Sequence, residues 1–182
     1  MNTYFDTGVL LKAYVPEPNS RLADALILEA TPPLPFTHFH ELEMRTALRL
    51  KRGRGEITAA ELKTALRDLQ ADITAGRLEK PAYNLVAVFH KAEELSAKYA
   101  ADTLARSLDI LHVAAALTLG ARVFVSFDDR QRKLARRARL KVLPRIRPWA
   151  VQPRWNAMGL WFPSSSNRAH RRAAELAGKT DS

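Results

Sequence analysis

Hydrophobic positions along this chain follow short strand-like runs and longer helical periods. Thr3-Tyr4-Phe5 reads as a buried strand that ends at Asp6, followed by helical stretches through Val9–Tyr14 and Ser20–Ala30. Pro32-Pro33-Leu34-Pro35 breaks the chain. A long helix is predicted from about His38 to Lys51, stopping at Gly53-Arg54-Gly55. Thr58-x-x-Glu61 is a capping box that opens a further helix to about Ala75. Helices are then expected through Leu85–Tyr99 and from Asp102 to Leu119, the latter closing at Gly120. Arg122–Phe127 is an apolar strand, Asp129–Arg139 a basic helix and Lys141–Leu143 a last strand. Helices dominate and the short strands between them are apolar. That pattern predicts a parallel sheet covered by helices, an α/β layered domain.

The pattern changes after Trp149. Trp149, Trp155, Trp161 and Phe162 are spaced among Pro148, Pro153 and Pro163, and Ser164-Ser165-Ser166 precedes a short helical stretch from Asn167 to Ala177. Residues 1–149 are expected to form one domain, with 150–182 a basic extension that is partly disordered or docks on a partner. A chain of 182 residues can bury such a core without covalent staples. There is no cysteine, which excludes disulfides and thiolate metal sites. No apolar run reaches the ~18 residues needed to span a bilayer, and the expectation is a cytoplasmic protein without a membrane role.

Charge sharpens the picture. The formal net charge is +10, and the cations crowd together: Arg130, Arg132, Lys133, Arg136, Arg137, Arg139, Lys141, Arg145 and Arg147, with no acid from Arg130 until Glu175. A nucleic acid is the natural polyanionic partner; solubility or an anionic protein partner is the plain alternative.

Four acids stand out against this background. Asp6 and Asp128 each follow an apolar strand, and in parallel α/β sheets ligands bind beyond the carboxyl ends of strands. Either could instead cap the next helix. Asp109 shares the almost wholly apolar run LDILHVAAALTLG with one other ionisable residue, His112. A buried carboxylate there needs a metal or a partner such as Arg106. Helical spacing places Glu41 with Arg45, Arg49 and Arg52 on a charged face, but Glu43 on a stripe with Phe39, Ala47 and Leu50. Glu43 should therefore point inward and Glu41 outward. A cluster of oxygen ligands from separate segments suits Mg²⁺ or Mn²⁺.

Other motifs point elsewhere. Asp6-Thr7-Gly8 matches the signature of aspartic proteases, but those enzymes are β-rich and this sequence is not. His38-x-His40 could pair on a metal only on a strand, since in a helix two-residue spacing makes the side chains diverge, and at this strand–helix junction the pair is read as no metal site. His112 reads as a hydrogen-bonded core histidine. The aromatics from Trp149 to Phe162 are read as packing on the domain or a partner rather than stacking on bases.

Four segments, YFDTGVLLKAY (Tyr4–Tyr14), ELEMRTAL (Glu41–Leu48), RSLDILHVAAAL (Arg106–Leu117) and VFVSFDDRQRKLA (Val123–Ala135), together resemble the PIN-domain nucleases, specifically VapC-type toxins. The resemblance covers about residues 1–149 in family order. It implies a PIN-like three-layer α/β/α fold with a short central parallel sheet. It also implies a site of Asp6, Glu43, Asp109 and Asp128 that binds Mg²⁺ or Mn²⁺, with Asp129 a poorer match than Asp128. The implied activity is hydrolysis of RNA by water, and the implied partners are a VapB-like antitoxin and a second copy in a homodimer. A PIN-type RNA-processing nuclease outside a toxin–antitoxin pair, and a non-catalytic RNA-binding module, are the alternative readings.

Overall fold

The computed structural model describes residues 3–145. The extension at 150–182, its aromatics and the helix expected from Asn167 to Ala177 lie outside the described residues.

Three strands form the central sheet: β1 (Thr3–Phe5), β4 (Val123–Val125) and β5 (Lys141–Leu143), in the order β1-β4-β5. Both pairings are parallel, with Thr3 opposite Val123 and Val123 opposite Lys141. Successive strand residues point to opposite faces. Phe5 and Val125 accordingly join a core formed with α1 (Thr7–Leu11), α2 (Ser20–Leu28), α3 (His38–Gly53) and α4 (Ala59–Thr74). Tyr4, Phe124 and Val142 join a second core with α5 (Leu85–Thr103), α6 (Ser107–Thr118) and α7 (Asp129–Arg137). The result is a three-layer α/β/α domain around a short parallel sheet, as expected.

Local signals explain the helix starts. Thr58 caps α4 and receives the Glu61 carboxylate in return, with Thr58 N–H to Glu61 Oε2 at 2.7 Å. Thr37 caps α3, and its own N–H donates to His40 Nδ1 at 2.9 Å. Along α4, Ala65 and Leu69, one turn apart, bury against the first core. Buried Asp72 on the same helix accepts from the Tyr14 hydroxyl at 2.7 Å and pairs with Arg77.

Two expectations need correction. The proline stretch does more than break the chain: Leu34–Pro35 is a strand, β2, paired in parallel with β3 (Leu78–Glu79). The ladder bonds come from Leu34 N–H and Phe36 N–H, on either side of Pro35, so the missing proline donor is not needed. The helix expected from Asp102 is two elements. Asp102 belongs to the end of α5, Leu104 turns the chain in the left-handed region (φ 56°), and α6 opens at Ser107. Neither glycine nor proline marks that break. Among the described residues no helix is long and apolar enough to cross a membrane.

Candidate active site

The carboxyl ends of β1 and β4 open into a cleft lined by Asp6, Thr7, Gly8, Leu42, Glu43, Asp109, Asp128 and Gln131, with other apolar residues. All four acids selected from the sequence thus border one space, although they come from four segments.

Asp6 is held by the sheet itself. Its backbone N–H donates to Val125 O at 2.8 Å, which continues the β1–β4 ladder by one residue. The residue is 7% exposed, and Oδ2 accepts from Ser126 Oγ at 3.1 Å. Ser126 Oγ in turn accepts from Asp128 N–H at 3.0 Å, so one hydroxyl joins the first and fourth acids. Burial pushes the Asp6 pKa up, and the charge of Glu43 adds to it; His112, Ser126 and Gly8 offset only part. At Gly8 a Cβ would stand 3.3 Å from Asp6 Oδ2, so glycine keeps that side of the carboxylate open.

The two glutamates separate by partners rather than by depth. The Glu41 side chain bridges Arg45 at 3.1 Å and Lys80 at 2.6 Å. Glu43 Oε2 accepts from Thr7 Oγ1 and His112 Nε2, each at 2.5 Å. The side chains are 25% and 27% exposed. The buried stripe of α3 is His40, Met44 and Leu48, while Leu42 and Leu50 are 68% and 50% exposed. Glu43, Ala47 and Leu50 of the stripe line the cleft, Ala47 also packing against the first core, while Phe39 packs against the second. Burial opposes ionisation of Glu43, but the bonds from His112 and Thr7 outweigh it and hold its pKa below the usual carboxylate value.

Asp109 departs from expectation in depth. It is half-buried, because it sits in the first turn of α6 where the helix emerges at the cleft. Its Oδ2 accepts from the backbone N–H of Arg106 at 2.8 Å and its Oδ1 from Gln131 Nε2 at 3.1 Å. Among the described residues the Arg106 guanidinium makes no ion pair with it. Asp128 caps α7: Oδ1 accepts from Arg130 N–H at 2.9 Å and Gln131 N–H at 3.0 Å. It also borders the cleft, so capping and site-lining coexist. Among the described residues, neither Asp128 Oδ2 nor Glu43 Oε1 takes a hydrogen bond.

Three neighbours carry more than the sequence reading gave them. His112 is fully buried, as expected of a core histidine, yet it bonds directly to Glu43. Gln131 is 4% exposed, and its Oε1 has no hydrogen-bond partner among the described residues. Arg132 belongs to the basic run by sequence but is 1% exposed. Its guanidinium donates to the carbonyls of Ser126, Leu143 and Pro144 at 2.5, 3.0 and 2.7 Å, where it cannot meet a polyanion. Lys133, Arg136 and Arg137 on the same helix are exposed. His38 is exposed and His40 is buried, so the pair does diverge.

Among the described residues, no three His, Cys, Asp or Glu side chains converge as a ready-made metal group. Mg²⁺ needs only one or two protein carboxylates, the rest being waters and phosphate oxygens. Buried Asp6, beside ionised Glu43 and without an ion pair of its own among the described residues, fits that requirement. The unpartnered Gln131 oxygen at the same cleft adds an acceptor.

A three-stranded parallel sheet between helical layers, with an acid-lined cleft at its carboxyl edge, defines an α/β/α domain with a carboxylate site. The sequence pattern of the PIN domain family matches residues 3–137, and the chain belongs to that family. Its fold is similar to that of a chain in the crystal structure of FitAcB from Neisseria gonorrhoeae. The two align with a TM-score of 0.56 at 16% identity, over 78% of this chain and 96% of that one. A search of the curated proteins finds no match to this sequence.

Proposed function

We propose that this protein is a divalent-metal-dependent endoribonuclease, the toxin of a toxin–antitoxin pair. The observation that carries the reading is the set of acids from four segments bordering one cleft at the carboxyl edge of the sheet. Asp6 and Glu43 would hold Mg²⁺ or Mn²⁺, with Asp109 and Asp128 reaching it directly or through water. When bound there, the cation stabilises charge on the phosphodiester and makes an attacking water more acidic. The chain's own residues do the rest. Ser126 keeps Asp6 and Asp128 in register, and Thr7 and His112 keep Glu43 ionised. Exposed Arg130, Lys133, Arg136 and Arg137 lead away from the cleft and offer the RNA backbone a cationic track.

Exposed apolar residues support the partners of this reading. Leu42 and Leu50 line the cleft, where a VapB-like antitoxin segment would cover them and block the acids. Val86 and Phe89 on α5, 63% and 52% exposed, offer an apolar face to a second copy in a homodimer. The extension at 150–182 is proposed to contribute to partner binding and not to chemistry.

The test is cleavage of an RNA substrate with and without EDTA. Activity should vanish in chelator and return with Mg²⁺ or Mn²⁺. Glu43→Gln should nearly abolish it while Glu41→Gln leaves most. Undiminished cleavage in EDTA, or equal loss in the two variants, refutes the reading.

A further inference from the structure

His112 sits on a helix whose neighbouring residues Val113, Ala114, Ala115 and Ala116 are all fully buried and apolar. A polar ring in such a place must have its hydrogen bonds satisfied. Each ring nitrogen meets a different element: Nδ1 lies 2.8 Å from the Tyr4 hydroxyl on β1, and Nε2 lies 2.5 Å from Glu43 Oε2 on α3. An ionised carboxylate only accepts, so the hydrogen on Nε2 points to Glu43. The Tyr4 hydroxyl, kept protonated by its burial, then fits Nδ1 as a donor.

Packing fixes the ring as firmly as the bonds do. His40 meets it edge-on at 4.7 Å between centroids, and Phe39 does so at 6.1 Å. His40 is tied down in turn, donating from Nε2 to Phe5 O at 2.7 Å, one residue before Asp6. Glu43 is thus bonded to one buried imidazole, the backbone just before Asp6 is bonded to a second, and the two rings pack edge-on.

Glu43 gains most from this arrangement. A glutamate on a helix surface has three rotatable bonds, and its carboxylate would otherwise sweep the cleft. Two donors on Oε2 stop that motion and leave Oε1 as the oxygen without a hydrogen bond among the described residues.

We propose that His112, locked by Tyr4, is a positioning residue for Glu43: it clamps Oε2 so that Oε1 is presented to a divalent cation shared with Asp6. The inference rests on the metal reading of the cleft. Hydrogen bonds to ligating groups typically contribute about 10- to 100-fold in metal affinity. A histidine that merely fills the core would make no such contribution.

The test is equilibrium binding of Mn²⁺ alone to the full chain, read by electron paramagnetic resonance or calorimetry. Wild type is compared with His112→Phe, His112→Gln, Tyr4→Phe and Glu43→Gln, each checked by thermal melting. His112→Phe should weaken Mn²⁺ binding by about tenfold or more. His112→Gln, whose amide N–H can reach the same oxygen, should recover most of it. Tyr4→Phe should fall between wild type and His112→Phe. With saturating Mn²⁺, kcat should drop in His112→Phe while KM for RNA changes little. Wild-type Mn²⁺ affinity in His112→Phe, or equal loss in the Gln and Phe variants, overturns the proposal. If His112→Phe does not fold, Tyr4→Phe decides, and an unchanged affinity there overturns it. Mn²⁺ binding that survives Glu43→Gln unchanged overturns the metal reading itself, which separates that failure from the failure of His112's role.

Discussion

Arg132 is the residue whose role the structure most changes, and its replacement by methionine isolates that role. Methionine keeps an unbranched apolar stem but offers no donor. The guanidinium serves three carbonyls, those of Ser126, Leu143 and Pro144. Leu143 O keeps a second donor, the Ser126 N–H at 3.1 Å, so the substitution strips the Ser126 and Pro144 carbonyls. A buried polar group left without a partner costs about 1–3 kcal/mol, or about 2–6 kcal/mol for two. Relief from burying a charge offsets part of this, since removing a buried charge from water is itself costly. The net loss should be about 3 kcal/mol, and at about 2–4 °C per kcal/mol for a chain of this size the melting temperature should fall by about 6–12 °C. Arg136→Met on the exposed side of the same helix is the control, expected within about 0.5 kcal/mol of wild type. Thermal and urea unfolding by circular dichroism measure both. A melting temperature for Arg132→Met close to that of Arg136→Met would refute the reasoning and return Arg132 to the solvated basic face.

Replacing Lys133, Arg136 and Arg137 by glutamine, with Arg132 left in place, should weaken RNA binding and flatten its salt dependence by about 0.7 in slope per lost phosphate contact; an unchanged slope in a filter-binding titration removes the helix from the RNA track. Asp6→Asn should abolish cleavage but raise the melting temperature at neutral pH. The sign follows from the raised pKa of Asp6: its ionised form opposes folding above the folded-state pKa, and that opposition fades as pH falls through this value towards the ordinary aspartate range. The advantage of Asp6→Asn over wild type should therefore shrink on acidification, and an advantage independent of pH would refute the burial argument. Truncation after Ala150 should leave cleavage and melting temperature near those of the full chain while weakening antitoxin binding or dimerisation; a large loss of thermal stability with partner affinity intact would assign the extension to the core.

These predictions turn on what a one-dimensional pattern can carry. Capping boxes, apolar stripes and the ends of strands are local, so α3, α4, the three sheet strands and the acids beside them were legible in the sequence. The two-residue strands β2 and β3 were not, because their pairing joins residues far apart in the chain and neither is long enough to show alternation. The break between α5 and α6 was hidden for another reason: Leu104 adopts a left-handed conformation that is normally signalled by glycine. Within the site, a lone acid on an apolar run was enough to select Glu43 and Asp109, but not to say what holds them. The bond between Glu43 and His112 spans 69 positions, and only the fold brings the two together. Arg132 did leave a trace. Leu134 and Ala135 set the buried face of α7, and Gln131 and Arg132, four and three residues before Ala135, lie on its edge. A helical wheel would have separated these two from the exposed cations, whereas the density of charge in the run concealed them. The same helix thus sends one arginine inward to fix the loop that carries Ser126 and Asp128, and its remaining cations outward. Substituting the basic residues of α7 as a block would confuse a loss of the fold at the cleft with a loss of the substrate track.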